Sequence, residues 1–230
     1  MITLKKYTEI FNEVKKCIND TLIHIKTVSH ENYALFLKNS ENKHEDYQKI
    51  VYPNLIYDGI IDCKDESRLT FLSEFLRIFY SFPYHQTSVN DDEFRIHIEL
   101  MIYTHIWESK PFLKKLYRLT RLDNSEPYCW DVVIPDMKKK DFINKEVTKI
   151  LEDNNNPIAT LIKKGFDSSL RNAFAHSEYS LDTSDKYIKF WKNKKLHKIS
   201  FNHWSKRFAY SGLLSYLLIK ISDEHRKALE

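Results

Sequence analysis

The stretch Leu4–Val28, LKKYTEIFNEVKKCINDTLIHIKTV, decides the fold class. Its apolar residues Leu4, Tyr7, Ile10, Phe11, Val14, Ile18, Leu22, Ile25 and Val28 recur at three- and four-residue steps, which gathers them on one face of a helix. No glycine or proline interrupts the run, so a long amphipathic helix follows, and such a helix needs other helices against which to bury its stripe. The rest of the chain supplies them. Helical spacing continues over 33–37, over 46–61 with Pro53 as a break or kink, and over 66–82, which stops before Pro83.

The polar segment HQTSVN at 85–90 reads as a turn and as the seam between a helical N-terminal region, 1–89, and a second domain, 90–230. Asn90 or Asp91 is suited to cap a helix carrying Phe94, Ile98, Met101, Ile102, His105 and Ile106. Pro111 fits the first turn of a helix over 112–122, and 142–151 is helical until Asn154-Asn155-Asn156. Pro157 opens a pattern running toward His176, with Gly165 as an interruption and Asp167 as the N-cap of a restart. A last helix over 204–228 turns Leu213, Leu214, Leu217, Leu218 and Ile221 inward. Between these helices Tyr179-Ser180-Leu181, 187–191 and 198–201 alternate like short strands of a basic hairpin at 179–201. The expected fold is all-α, with that hairpin as its one β feature.

Composition narrows the function classes. The chain has 230 residues, 42% of them hydrophobic, and only three glycines, which disfavours glycine-rich nucleotide loops and hairpin-rich β folds. Cys17, Cys63 and Cys129 are odd in number and lack metal-ligand spacing, so neither a disulfide framework nor a zinc knuckle is expected. The N-terminus lacks the apolar core of a signal peptide, and no apolar run approaches the roughly 20 residues that span a bilayer. A soluble cytoplasmic protein is expected. The net charge of +4 is mild, but lysines crowd at Lys138-Lys139-Lys140 and at Lys186, Lys189, Lys192, Lys194, Lys195 and Lys198. In the hairpin they interleave with Tyr187 and Trp191, as surfaces that bind single-stranded RNA do. Alternation puts Tyr187, Lys189 and Trp191 on one face and Ile188 and Phe190 on the other. The aromatic residues can equally fill the core beneath a solvated hairpin.

Arg171-Asn172-Ala173-Phe174-Ala175-His176 carries the chemistry. An imidazole moves protons near neutral pH and a guanidinium holds phosphate, so the pair can cut RNA by internal attack without a metal. A step of five residues leaves Arg171 and His176 about 140° apart on a regular helix, so the helix should end near His176 and free the ring. Asn172 stacks one turn below His176, placed to fix its tautomer or to contact phosphate. The plainer reading makes Arg171 a solvated helix residue and His176 a C-terminal cap favoured by the helix dipole. Glu99 or Glu108 is available to reach Arg171. His97 and His105 with Glu108 lack the spacing of a metal site.

RNAFAH, preceded by Leu170 and followed by Ser177-Glu178-Tyr179 and the hairpin, resembles the R-x4-H signature of the HEPN superfamily, whose residue after the arginine is usually polar, as Asn172 is. The likeness extends from about Asn90 to the C-terminus. It implies a helical bundle, a homodimer joined through the motif helices, and metal- and cofactor-independent endoribonuclease activity that leaves 2′,3′-cyclic phosphate and 5′-hydroxyl ends. In that family the activity serves as a toxin or antiphage effector, restrained by an antitoxin or other regulatory partner. Some members silenced by a nucleotidyltransferase carry a tyrosine two residues after the histidine; this chain has Glu178 there and Tyr179 one place later. The alternative within the resemblance is a catalytically silent module that binds nucleotide or RNA or serves as a dimerisation scaffold.

Overall fold

The computed structural model describes residues 1–37, 63–80, 82, 93–192 and 194–229. The expected helix at 46–61, the turn at 85–90 and the seam between 89 and 90 lie outside the described residues. Helix α1 is Leu4–Val28, α2 His30–Leu37, α3 Cys63–Phe79, α4 Glu93–Glu108 and α5 Lys110–Asp123. Helix α6 begins with the turn Lys139–Asp141, continues as a π-helical stretch Phe142–Thr148 and ends in Lys149–Asp153. Then follow α7 (Ile158–Gly165), α8 (Ser168–Ala175), β1 (Tyr179–Asp182), β2 (Tyr187–Lys192), β3 (Lys195–Ser200) and α9 (Phe201–Lys227). The described chain is mainly helical with one small sheet.

Helix α9 runs through the middle. Every residue from Phe208 to Ser215 is buried, which a helix shows only when neighbours cover all its sides. Helices α1, α3, α4 and α7 all pack on it. The inward leucines expected from spacing are buried, and so are Ser205, Ser211 and Ser215, small residues that let adjacent helices approach. At Gly165 an added Cβ would lie 2.9 Å from Ser211 Oγ and 3.3 Å from Ser211 N, so glycine permits the crossing of α7 and α9. The α1 stripe is buried at Ile10, Val14, Ile18, Leu22 and Ile25, while Leu4 and Val28 at its ends are exposed. Residues of α1 share one core with α4 and α9.

Local chemistry sets the helix ends. Side chains of Thr3, Ser109, Asp167 and Ser200 accept backbone N–H bonds at the starts of α1, α5, α8 and α9. At the C-termini of α5, α6 and α8 the chain turns left-handed at Ser125, Asn155 and Ser177, with φ of 58°, 56° and 57°. Each time the next residue's N–H reaches back into the last turn: Glu126 to Arg121 O, Asn156 to Leu151 O and Glu178 to Ala173 O. Polar residues do here what glycine usually does.

The basic hairpin is extended by one strand into a three-stranded antiparallel meander in the order β1-β2-β3. The strand patterns at 179–181 and 187–191 become strands, and that at 198–201 does so only to Ser200, since Phe201 opens α9. Ile188 and Phe190 face the helices, being 0% and 8% exposed, so alternation resolves the two sides as the sequence suggests.

Candidate functional site

Helix α8 holds the R-x4-H residues. Asp167 starts it, accepting from Ser169 N at 2.8 Å and Leu170 N at 3.2 Å. Leu170, Ala173 and Phe174 are its buried face, and the Phe174 ring meets the edges of Tyr103, Trp204 and Tyr179 at centroid distances of 6.1, 5.3 and 5.3 Å. The other face carries Asn172, Ala175 and His176 into solvent.

Arg171 lies between these faces. Its guanidinium pairs with Glu108 Oε1 at the end of α4, while Glu108 Oε2 accepts from Lys139 Nζ at 2.7 Å. The side chains of Arg171, Lys139 and Glu108 are 14%, 10% and 33% exposed, so two well-covered cations converge on the more accessible carboxylate. Burial lowers the Arg171 pKa from its usual value, opposed by Tyr103, yet a guanidinium starting that high stays charged at neutral pH. Lys139 also donates to Asp136 O at 3.3 Å. Of the two carboxylates available from sequence, Glu108 reaches Arg171. Glu99 is fully buried instead, pairing with Arg95 and accepting from Tyr80 OH at 2.6 Å and Trp204 Nε1 at 2.8 Å. Burial pushes the Glu99 carboxyl up against the pull of those donors.

His176 is the C-cap of α8, as the spacing required. Its N–H bonds Asn172 O at 3.0 Å, its side chain is exposed, and the left-handed turn at Ser177 follows at once. Among the described residues neither the His176 ring nor the Asn172 amide makes a side-chain hydrogen bond. Asn172 therefore does not fix the His176 tautomer within the chain, and the two polar tips remain open to a ligand. No hydrogen bond or ion pair within the described residues links Arg171 to His176.

The six lysines divide by position. Lys189 and Lys198 are directly opposed on the outer face of the sheet, with Lys189 held by Asp182 at 2.6 Å and Lys198 4.6 Å above the Tyr187 ring. Lys192 and Lys195 oppose one another at the strand ends, on the other side of the pleat. Lys186 and Lys194 occupy left-handed turn positions, each with φ of 61°. His97 Nδ1 is 2.9 Å from Tyr179 OH and its Nε2 is 3.7 Å from Glu93, so α4 and β1 are joined beside α8. Among the described residues no three histidine, cysteine or acidic side chains cluster to hold a metal ion. His105 borders an apolar groove of about 440 Å³ lined by Phe71, Leu72, Met101, Ile102 and Ile106, which contains neither Arg171 nor His176.

Lys139 is the member of this site that sequence reasoning passed over. Its run of three lysines signals charge, but nothing local connects it to a helix that follows much later. The arrangement offers a covered guanidinium, an adjacent ammonium, a carboxylate between them and an exposed imidazole at a helix end. No described helix is long and apolar enough to cross a membrane. Compared with family models, curated proteins and solved structures, the chain matches none.

Proposed function

We propose that the chain is a metal-independent endoribonuclease of the HEPN type. The observation that carries the reading is the helix end at His176. It leaves the imidazole exposed and unbonded within the described chain, while Arg171 of the same short helix is held at half-buried depth by Glu108. In the proposed reaction the ribose 2′-oxygen loses its proton to one imidazole and attacks phosphorus. The P–O5′ bond breaks, and the leaving 5′-oxygen takes a proton from a second imidazole. Arg171 stabilises the charge on the phosphorane, and Asn172 contacts phosphate. One chain contributes one such histidine, so the second comes from the partner subunit's His176 across the two-fold axis of a homodimer. Products are a 2′,3′-cyclic phosphate and a 5′-hydroxyl. By analogy with the family, the cellular role is that of a toxin or phage-defence effector in the cytoplasm, held in check by an antitoxin or other regulatory partner.

One observation favours a second reading. Glu108 already neutralises Arg171, as expected of a silent HEPN module that binds RNA or nucleotide, or scaffolds a dimer, without cutting. Total RNA incubated with the protein in EDTA, beside His176→Ala and Arg171→Ala, separates the two. Cleavage that persists in EDTA and disappears in both variants supports the enzyme. Binding without cleavage, or a protein that sediments only as a monomer, overturns it.

A further inference from the structure

We infer that the outer face of the sheet is a platform for single-stranded nucleic acid, on which Trp191 stacks a base while neighbouring lysines hold the flanking phosphates. The inference deepens the RNA reading above, on which it rests for its ligand, by assigning the strandedness of the substrate and the surface that holds it.

Trp191 and Leu196 are directly opposed across β2 and β3 and are 46% and 57% exposed, on the side of the pleat away from buried Ile188 and Phe190. Opposed residues in an antiparallel pair bring their Cβ atoms to about 5 Å, so the two form one apolar step with an available indole ring. The same face carries the opposed Lys189 and Lys198 one step further along, then Tyr187. At the other end of the step the turn carries Lys194, and Lys192 and Lys195 leave the strand ends on the opposite side of the pleat.

Charge selects the occupant. Residues 178–200 carry six lysines against Glu178, Asp182 and Asp185. Asp182 is paired with Lys189, and Glu178 lies across from Trp191, whose backbone N–H bonds Glu178 O at 3.2 Å, so a surplus of positive charge remains around the hairpin end. An aromatic ring beside a surplus of lysines fits a polyanion that also presents flat π surfaces. Duplex RNA keeps its bases stacked on one another and offers proteins mainly its phosphates and 2′-hydroxyls, so it leaves the indole unused. A single strand uses both features.

The test uses the full-length protein and a short fluorescent 2′-O-methyl oligouridine, which lacks the free 2′-hydroxyl needed for internal attack and therefore reports binding alone. Trp191→Ala is expected to weaken binding roughly tenfold, and Trp191→Phe to retain most of the affinity, because stacking tolerates any aromatic ring. Lys198→Ala is expected to lower the salt dependence of binding by about 0.7 in log–log slope, the single-strand value for one phosphate contact. Unchanged thermal unfolding of Trp191→Ala would exclude misfolding as the cause. Equal oligonucleotide binding by wild type and Trp191→Ala overturns the platform. So does Trp191-dependent binding to duplex RNA or to phosphatidylserine vesicles in preference to the single strand. Trp191-dependent binding by a protein that cuts no RNA would sink the nuclease and keep the platform, whereas RNA cleavage with KM unaffected by Trp191→Ala would do the reverse.

Discussion

Glu108 is the residue on which the electrostatics of the site turn. Its two carboxylate oxygens are divided between Arg171 and Lys139, both more covered than Glu108 itself. Glu108→Gln keeps the size of the side chain and removes the charge, leaving two adjacent cations in a partly dehydrated setting. The expected loss is about 1–3 kcal/mol in urea unfolding, below that of a fully buried pair because water still reaches the carboxylate. An anion that binds beside the two uncompensated cations should restore part of it. Inorganic phosphate is therefore expected to raise the melting temperature of Glu108→Gln more than that of wild type, since ligands binding only the folded state stabilise it. Equal shifts would show that the two cations do not form an anion site.

At the scale of the element, α8 is an eight-residue helix whose ends are set by side chains of its own neighbourhood. Asp167 caps the start, and the bonds from Ser177 N to Phe174 O and from Glu178 N to Ala173 O close the finish. Ser177 adopts φ of 57°, where its Cβ meets the following carbonyl at a cost of about 1–2 kcal/mol. Glycine removes that clash but makes the unfolded chain more flexible, which returns part of the gain. Ser177→Gly is expected to stabilise the protein by about 0.5–1 kcal/mol, read as a higher urea midpoint at constant m. A lowered midpoint would mean that the Ser177 side chain contributes a stabilising contact of its own.

Across the whole molecule, His225 fastens α9 to the N-terminal helices. Its Nδ1 lies 2.7 Å from Tyr33 OH of α2 and its Nε2 3.0 Å from Asn19 Oδ1 of α1. Asn19 Oδ1 can only accept, so the neutral ring carries its proton on Nε2 and receives the tyrosine hydroxyl at Nδ1. Burial lowers the His225 pKa, with the Lys26 charge adding to the effect and Glu224 opposing it. The unfolded chain therefore takes up this proton first as pH falls below the ordinary imidazole value of about 6.5. Stability from this group is present above that pH and declines as the solution is acidified toward the lower folded value. Wild type is expected to lose more stability than His225→Gln between neutral pH and about pH 5, measured by urea unfolding at each pH. Parallel pH profiles would remove His225 from this role.

The sequence by itself determined the features governed by near neighbours. The α1 stripe, the Asp167 cap, the interruption at Gly165, the helix end at His176 and the two faces of β2 all follow from periodicity and backbone chemistry within a few residues. Tertiary structure decided what distant segments do to one another. The burial of Ser205, Ser211 and Ser215 was illegible because small polar residues read as surface until helices close around them. Glu99 and Glu108 lie on the same helix, yet packing sends one into the core with Arg95 and gives the other to Arg171. Lys139 enters the site through Glu108, thirty-one positions away, because a charge pair depends on separation in space and leaves no periodic trace along the chain.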